Sequence, residues 1–247
     1  VEHYYYLLID LFTLSFPLAR SFEPKIRFVR FWPGILLGVA IMSILFIPWD
    51  IWFTQKAVWG FNPDYITGFR IAGLPVEEWL FFFCVPFACV FIYEVLRYFF
   101  PVSPVAPLER FATMGLIFVS FVVSVVFVEN IYTFITFSLL CLILTYLFLN
   151  KKITFMGHFY FAYIVILVPF LLANGALTGL FTEAPIVWYN NAENLGIRVL
   201  SIPLDDFAYN MLMLLLVITT HEWYKTRYVK ADLYPIANSE LPADAIV

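Results

Sequence analysis

The chain has 247 residues, 63% of them apolar and 13% charged, with a mean hydropathy of +0.88. Soluble domains run at roughly 45–50% apolar and about 25% charged, so a water-soluble globule is excluded. The apolar residues form uninterrupted runs rather than amphipathic stripes, the pattern of an all-α integral membrane protein, and the net charge of −4 says nothing about its orientation.

Charge-free intervals predict about seven transmembrane helices, near residues 4–19, 32–49, 75–96, 111–128, 131–149, 155–174 and 203–222. The first contains Asp10 and lacks a basic leader and a small-residue cleavage site, so it reads as a retained span and not a signal peptide. The second ends at Pro48-Trp49-Asp50, where a polar, aromatic outer loop begins that includes Arg70. The third opens with Pro75-Val76-Glu77-Glu78, runs through Leu80-Phe81-Phe82-Phe83 and closes with Glu94 and Arg97. The fourth and fifth carry no internal acid. The sixth ends at Asn174-Gly175, and a second outer loop leads through Arg198 to Pro203-Leu204-Asp205-Asp206, where the seventh begins.

Of the fourteen Lys and Arg residues, eleven fall on one side of a seven-span topology, leaving Lys56, Arg70 and Arg198 on the other. Basic loops stay in the cytoplasm, which puts the N-terminus outside and the C-terminus inside a cell membrane.

Aligning Pro75 with Pro203 superposes two segments at an offset of 128 residues: Asn62 meets Asn190, Gly68 meets Gly196, Arg70 meets Arg198, the acid pairs coincide, and Glu94 meets Glu222. The expected organisation is a three-helix repeat over 1–104, a connector helix over 105–130, a second repeat over 131–230 and a cytoplasmic tail over 231–247. Four spans separate equivalent helices, so the copies are parallel, and a site shared between them follows naturally.

Proline with acids in the first turn is also how many helices begin, because the acids face the positive end of the helix dipole. Depth and recurrence argue for use of Glu77, Glu78, Asp205 and Asp206, since ionisable groups at a membrane boundary are costly. Two adjacent acids can supply a general acid and a general base. They diverge by about 100° on a helix, so one of each pair is expected to be catalytic and the other structural, paired with Arg70 or Arg198. Glu94 and Glu222 lie at the opposite face, with Arg97 and Lys225 as expected partners. Phe81 and Phe82 could wall an apolar channel and stabilise a cation through ring faces. The seven Trp residues sit near span ends and read as an interfacial belt.

No dinucleotide or nucleotide-phosphate segment is present, the three His residues are scattered over different spans, and the Cys spacing gives no disulfide framework. No cofactor, no metal and no nucleic-acid partner are therefore expected. The seventh span has no Lys between Pro203 and Glu222, which removes a retinal anchor.

The seven spans, the tandem repeat and the Pro75-to-Phe82 segment with its second copy Pro203-Leu-Asp-Asp-Phe-Ala-Tyr-Asn resemble the integral-membrane lycopene cyclases, whose halves occur as separate or fused polypeptides. Pro48-Trp49-Asp50 and Asn174-Gly175 are similar to that family too. The resemblance implies redox-neutral, proton-initiated closure of a β-ionone ring on lycopene or a related acyclic carotene drawn from the lipid bilayer. The four paired acids would then be catalytic, with Asp50, Arg70, Phe81, Phe82, Asn174, Arg198 and Tyr209 binding or supporting. The alternative is a membrane transporter or a retinal-free rhodopsin-like seven-helix protein. Homo-oligomerisation is left open.

Overall fold

A computed structural model describes residues 2–229; the expected tail at 231–247 lies outside the described residues. Seven long helices run in chain order: α1 Tyr5–Arg20, α2 Trp32–Gln55, α3 Val76–Phe99, α4 Glu109–Val126, α5 Ile131–Leu149, α6 Met156–Leu177 and α7 Leu204–Tyr228. Each begins within two residues of its expected start.

By length and composition five of them, α2 to α6, can cross a membrane. The other two of the seven expected spans, at the two ends of the chain, depart from that length or composition. Helix α1, at 16 residues, is about 24 Å long against a hydrocarbon core of about 30 Å. Helix α7 is long enough but buries Asp205, Asp206, Asn210, His221 and Lys225. Those groups face the bundle and not lipid, so α7 is polar because it is interior.

The two outer loops repeat one another in detail. Strands β2 (Arg70–Ile71) and β3 (Leu74–Pro75) make a hairpin with Arg70 opposite Pro75, and β5 (Arg198–Val199) and β6 (Ile202–Pro203) make another with Arg198 opposite Pro203. In each, the arginine binds a carbonyl of its own turn, Arg70 to Gly73 at 2.8 Å and Arg198 to Ser201 at 2.6 Å. The remaining strands, β1 (Trp59–Phe61) and β4 (Val187–Tyr189), pair antiparallel with each other, Gly60 opposite Trp188. Asn62 N–H donates to Ile186 and Asn190 N–H to Val58, both at 2.8 Å. These two bonds interchange under the 128-residue offset, so a local two-fold axis passes through the Gly60–Trp188 pair.

Helices α2 and α6 end just before these loops, each at a residue with positive φ: Ala57 (54°) and Gly179 (97°). In both the chain reverses with a bond back into the last turn, Val58 N–H to Phe53 and Leu180 N–H to Gly175.

Helix α2 packs closely along α7, α1 along α3, and α4 along α5, whereas α1 meets α6 only lightly. The α2–α7 contact depends on Gly38: a Cβ there would sit 2.7 Å from the Val217 carbonyl oxygen. Toward the far ends of α3 and α7 a charged cluster joins the halves. Glu94 accepts from Lys225 at 2.6 Å and contacts His221 at 2.8 Å, while Glu222 accepts from Lys225 at 2.8 Å and Arg97 at 2.6 Å. The expected Glu222–Lys225 pair is present, and the cross-links from one half to the other are the additional finding.

Candidate active site

The β2–β3 and β5–β6 hairpins set the first turns of α3 and α7 side by side. Within each pair the two carboxyls part as the helical rotation requires. Glu77 turns back to its loop and accepts the Thr67 N–H at 2.7 Å; Asp205 does the same with the Leu195 N–H at 3.1 Å and also accepts from Thr133 Oγ1 at 2.5 Å. These two acids pin the loops. Glu78 and Asp206 point the other way, and both line one cavity of about 810 Å³.

The cavity lies among α1, α3, α6 and α7 under the β1–β4 ribbon, and it opens sideways: Phe12 on α1 and Leu172 on α6 belong to its wall and are exposed. Its other walls are mostly apolar, with Phe81, Phe170, Ile166 and Met213 among them. Phe82 instead packs behind the wall, 6.2 Å ring to ring from Phe46.

The polar groups are unequally shared between the two acids. Asp206 accepts three hydrogen bonds, from Tyr132 at 2.7 Å, Asn174 Nδ2 at 2.8 Å and Tyr189 at 3.0 Å. Burial and the Asp206 charge push the Tyr189 phenol up from its ordinary value, which keeps it a neutral donor. Among the described residues Glu78 accepts one, from Tyr6 at 2.5 Å, and the Asp50 carboxyl lies near enough to act on it electrostatically. Asp50 in turn accepts from Trp59 Nε1 at 2.5 Å. Asp10 is buried nearby, with neither oxygen hydrogen-bonded among the described residues.

Several sequence-based expectations need correcting here. Arg70 and Arg198 are exposed and hold hairpin turns, so the structural acids find backbone N–H groups instead of arginines. Trp49 and Trp59 are buried at the site rather than belted at the interface; Tyr209 packs against both, with ring centroids 5.2 Å and 6.1 Å away. The scattered histidines gave no hint that Glu94, His221 and Glu222 gather their ligand atoms within 4.8 Å of one another. Lys225 and Arg97 already bring positive charge to those carboxylates, as a cation would.

Tyr6, Tyr132 and Tyr189 were missed altogether. Tyr6 and Tyr132 stand 126 residues apart near the starts of α1 and α5, two short of the fixed offset. A two-residue gap in the repeat alignment would have matched them.

The pattern of a family described as lycopene cyclase matches residues 3–96 and 129–224, the two segments that carry the acid pairs, and passes over α4. Curated relatives are fungal proteins named bifunctional lycopene cyclase/phytoene synthase. The one from Aspergillus niger is 39% identical over 51 residues, 21% of this chain and 8% of the relative. That from Podospora anserina is 35% identical over 77 residues, 31% and 12% of the two chains, and that from Neurospora crassa 42% over 52 residues, 21% and 8%. The matches thus span about a tenth of those relatives. No solved structure matches the chain. With both acid-bearing segments matched, over well more than half its length, the chain belongs to the lycopene cyclase family.

Proposed function

We propose that the chain is a lycopene β-cyclase, an enzyme of carotenoid biosynthesis that closes the acyclic end group of a linear carotene into a β-ionone ring without change of oxidation state. The observation that carries this reading is the meeting of Glu78 and Asp206, one from each half of the chain, in a single apolar cavity open to the side. The names of the fungal relatives support the substrate.

The unequal hydrogen bonding assigns the roles. Two neighbouring carboxyls in a low-dielectric site repel when both are charged, so Glu78 and Asp50 share one proton and form the acid. Three converging donors stabilise Asp206 as an anion, which makes it the base. A proton passes from Glu78 to the terminal double bond of the end group. The resulting cation is attacked by the next suitable double bond, forming the ring carbon–carbon bond. Asp206 then removes a ring proton, and the electrons of that C–H bond become the ring double bond. The aromatic wall, Phe81 and Phe170 included, stabilises the cation.

In the bilayer the chain forms tandem parallel three-helix repeats, 1–104 and 131–230, with 105–130 as connector, the N-terminus outside and the C-terminus in the cytoplasm. The contacts that recur at the 128-residue offset and the eleven-to-three split of basic residues support this arrangement. The test is expression in cells that accumulate lycopene. A red-to-yellow shift with a β-ring product is expected, and unchanged lycopene beside well-expressed protein would refute the reading.

A further inference from the structure

The acid–base cycle leaves the protein altered after each ring closure. The Glu78–Asp50 pair has lost a proton and Asp206 has gained one, so a second turnover requires that proton to travel back. The phenols that touch the acids are already committed, Tyr6 to Glu78 and Tyr132 and Tyr189 to Asp206. Tyr209 is different. It lines the same cavity, and its hydroxyl makes no hydrogen bond among the described residues.

Its position is fixed by packing. The ring centroid lies 4.9 Å from Phe46, 5.2 Å from Trp49, 6.1 Å from Trp59 and 6.0 Å from Tyr132. Trp59 is the donor to Asp50 and Tyr132 is a donor to Asp206, so Tyr209 rests on the holders of both acid sets at once. The charges of Asp50, Glu78 and Asp206 all act on its phenol.

We infer that Tyr209 is the relay that returns the proton from Asp206 to the Glu78–Asp50 pair between turnovers, an inference that rests on the acid–base assignment above. The Asp206 O–H bond breaks as its proton moves, across a cavity water, to the Tyr209 oxygen. The phenolic O–H bond breaks in the same sense, and its proton joins the Glu78 carboxylate. Tyr209 ends neutral with one proton exchanged, and nothing is oxidised or reduced.

The experiment compares Tyr209→Phe with the parent in lipid vesicles, with enzyme in excess over lycopene and then with lycopene in excess. The phenyl ring keeps the packing. A first turnover within about threefold of the parent, with steady-state cyclisation slower by about tenfold or more, is the expected result. Tyr209→His, which restores a group able to pass a proton, should recover part of the steady-state rate. A Phe variant equal to the parent in both regimes overturns the relay. A first turnover lowered as much as the steady state overturns it too, because Tyr209 would then act in ring closure. If the Phe variant does not fold, the parent alone decides: mixed into D₂O for a few turnovers, it should place less than one solvent deuterium in each new ring, and full incorporation in each ring overturns the relay. No ring product from the parent in either regime refutes the acid–base reading itself.

Discussion

Replacing Glu78 by Gln separates catalysis from architecture, because the structure gives its neighbour Glu77 as an internal control. In Glu78→Gln the Tyr6 hydroxyl can still donate to the amide oxygen in place of its 2.5 Å bond to the carboxyl. The structural loss is a charge-assisted bond exchanged for a neutral one, about 1 kcal/mol, and a dipole contribution of about 0.3–1 kcal/mol. Folding should survive. Loss of the general acid costs about 100- to 10,000-fold in rate, or some 3–5 kcal/mol of barrier. Glu77→Gln makes the same chemical change one position earlier, where among the described residues the side chain accepts only the Thr67 N–H. It should lose the small structural contribution and keep the rate within about threefold of the parent. The assay is ring product per mole of folded protein in vesicles, with folding followed by gel filtration in detergent. If Glu78→Gln turns over like the parent, or if both variants fall equally, the division of each pair into a catalytic and a loop-pinning acid is wrong.

Tyr132→Phe leaves Asp206 with two donors of three; losing a bond to a charged acceptor, about 1.5–3 kcal/mol, should slow cyclisation by about 10- to 100-fold, and an unchanged rate would remove Asp206 as the base. Gly38→Ala drives a methyl group against the Val217 carbonyl oxygen, 2.7 Å from the ideal Cβ. It should destabilise the α2–α7 contact by about 1–3 kcal/mol, read as a lower midpoint of thermal unfolding in detergent. Single cysteines placed at Asp64 and Ala192, both exposed in the outer loops, should react with impermeant reagents from outside the cell, and labelling from the cytoplasmic side alone would reverse the orientation. Purified enzyme in vesicles should cyclise without added flavin or nicotinamide, and an absolute requirement for reduced flavin would count against direct proton chemistry from the carboxyls.

Much of this architecture was legible because its signals are local. Runs without charge give helices, and proline followed by two acids gives a helix start, so the beginnings of α3 and α7 needed no tertiary information. Asn174-Gly175 stands out as a motif at the end of a span, and Asn174 is a side chain that reaches Asp206. What the sequence hid was pairing at a distance. Arg70 and Arg198 looked like counter-ions because charge suggests charge, yet a hairpin turn three residues away offered a nearer acceptor. Trp59 looked interfacial because it follows a span. Pairing of β1 with β4 carries it inward to Asp50, and no pattern in one half of the chain announces a strand partner in the other. Helix α7 falls short of a membrane-span composition for the same reason: its polar residues meet partners on other elements.

On the proposed reaction, the shared cavity with its opening between α1 and α6 has a kinetic consequence for a carotene with two like ends. Both acids serve the same cleft, so the two ends of one carotene take turns in it. After the first ring forms, the half-finished molecule must back out into the lipid, turn end for end and compete for re-entry with every fresh linear carotene in the membrane. The ratio of one-ring to two-ring product is then set by how crowded the bilayer is with substrate: a membrane rich in linear carotene accumulates the singly closed pigment, and a depleted one drives the same enzyme to the doubly closed form.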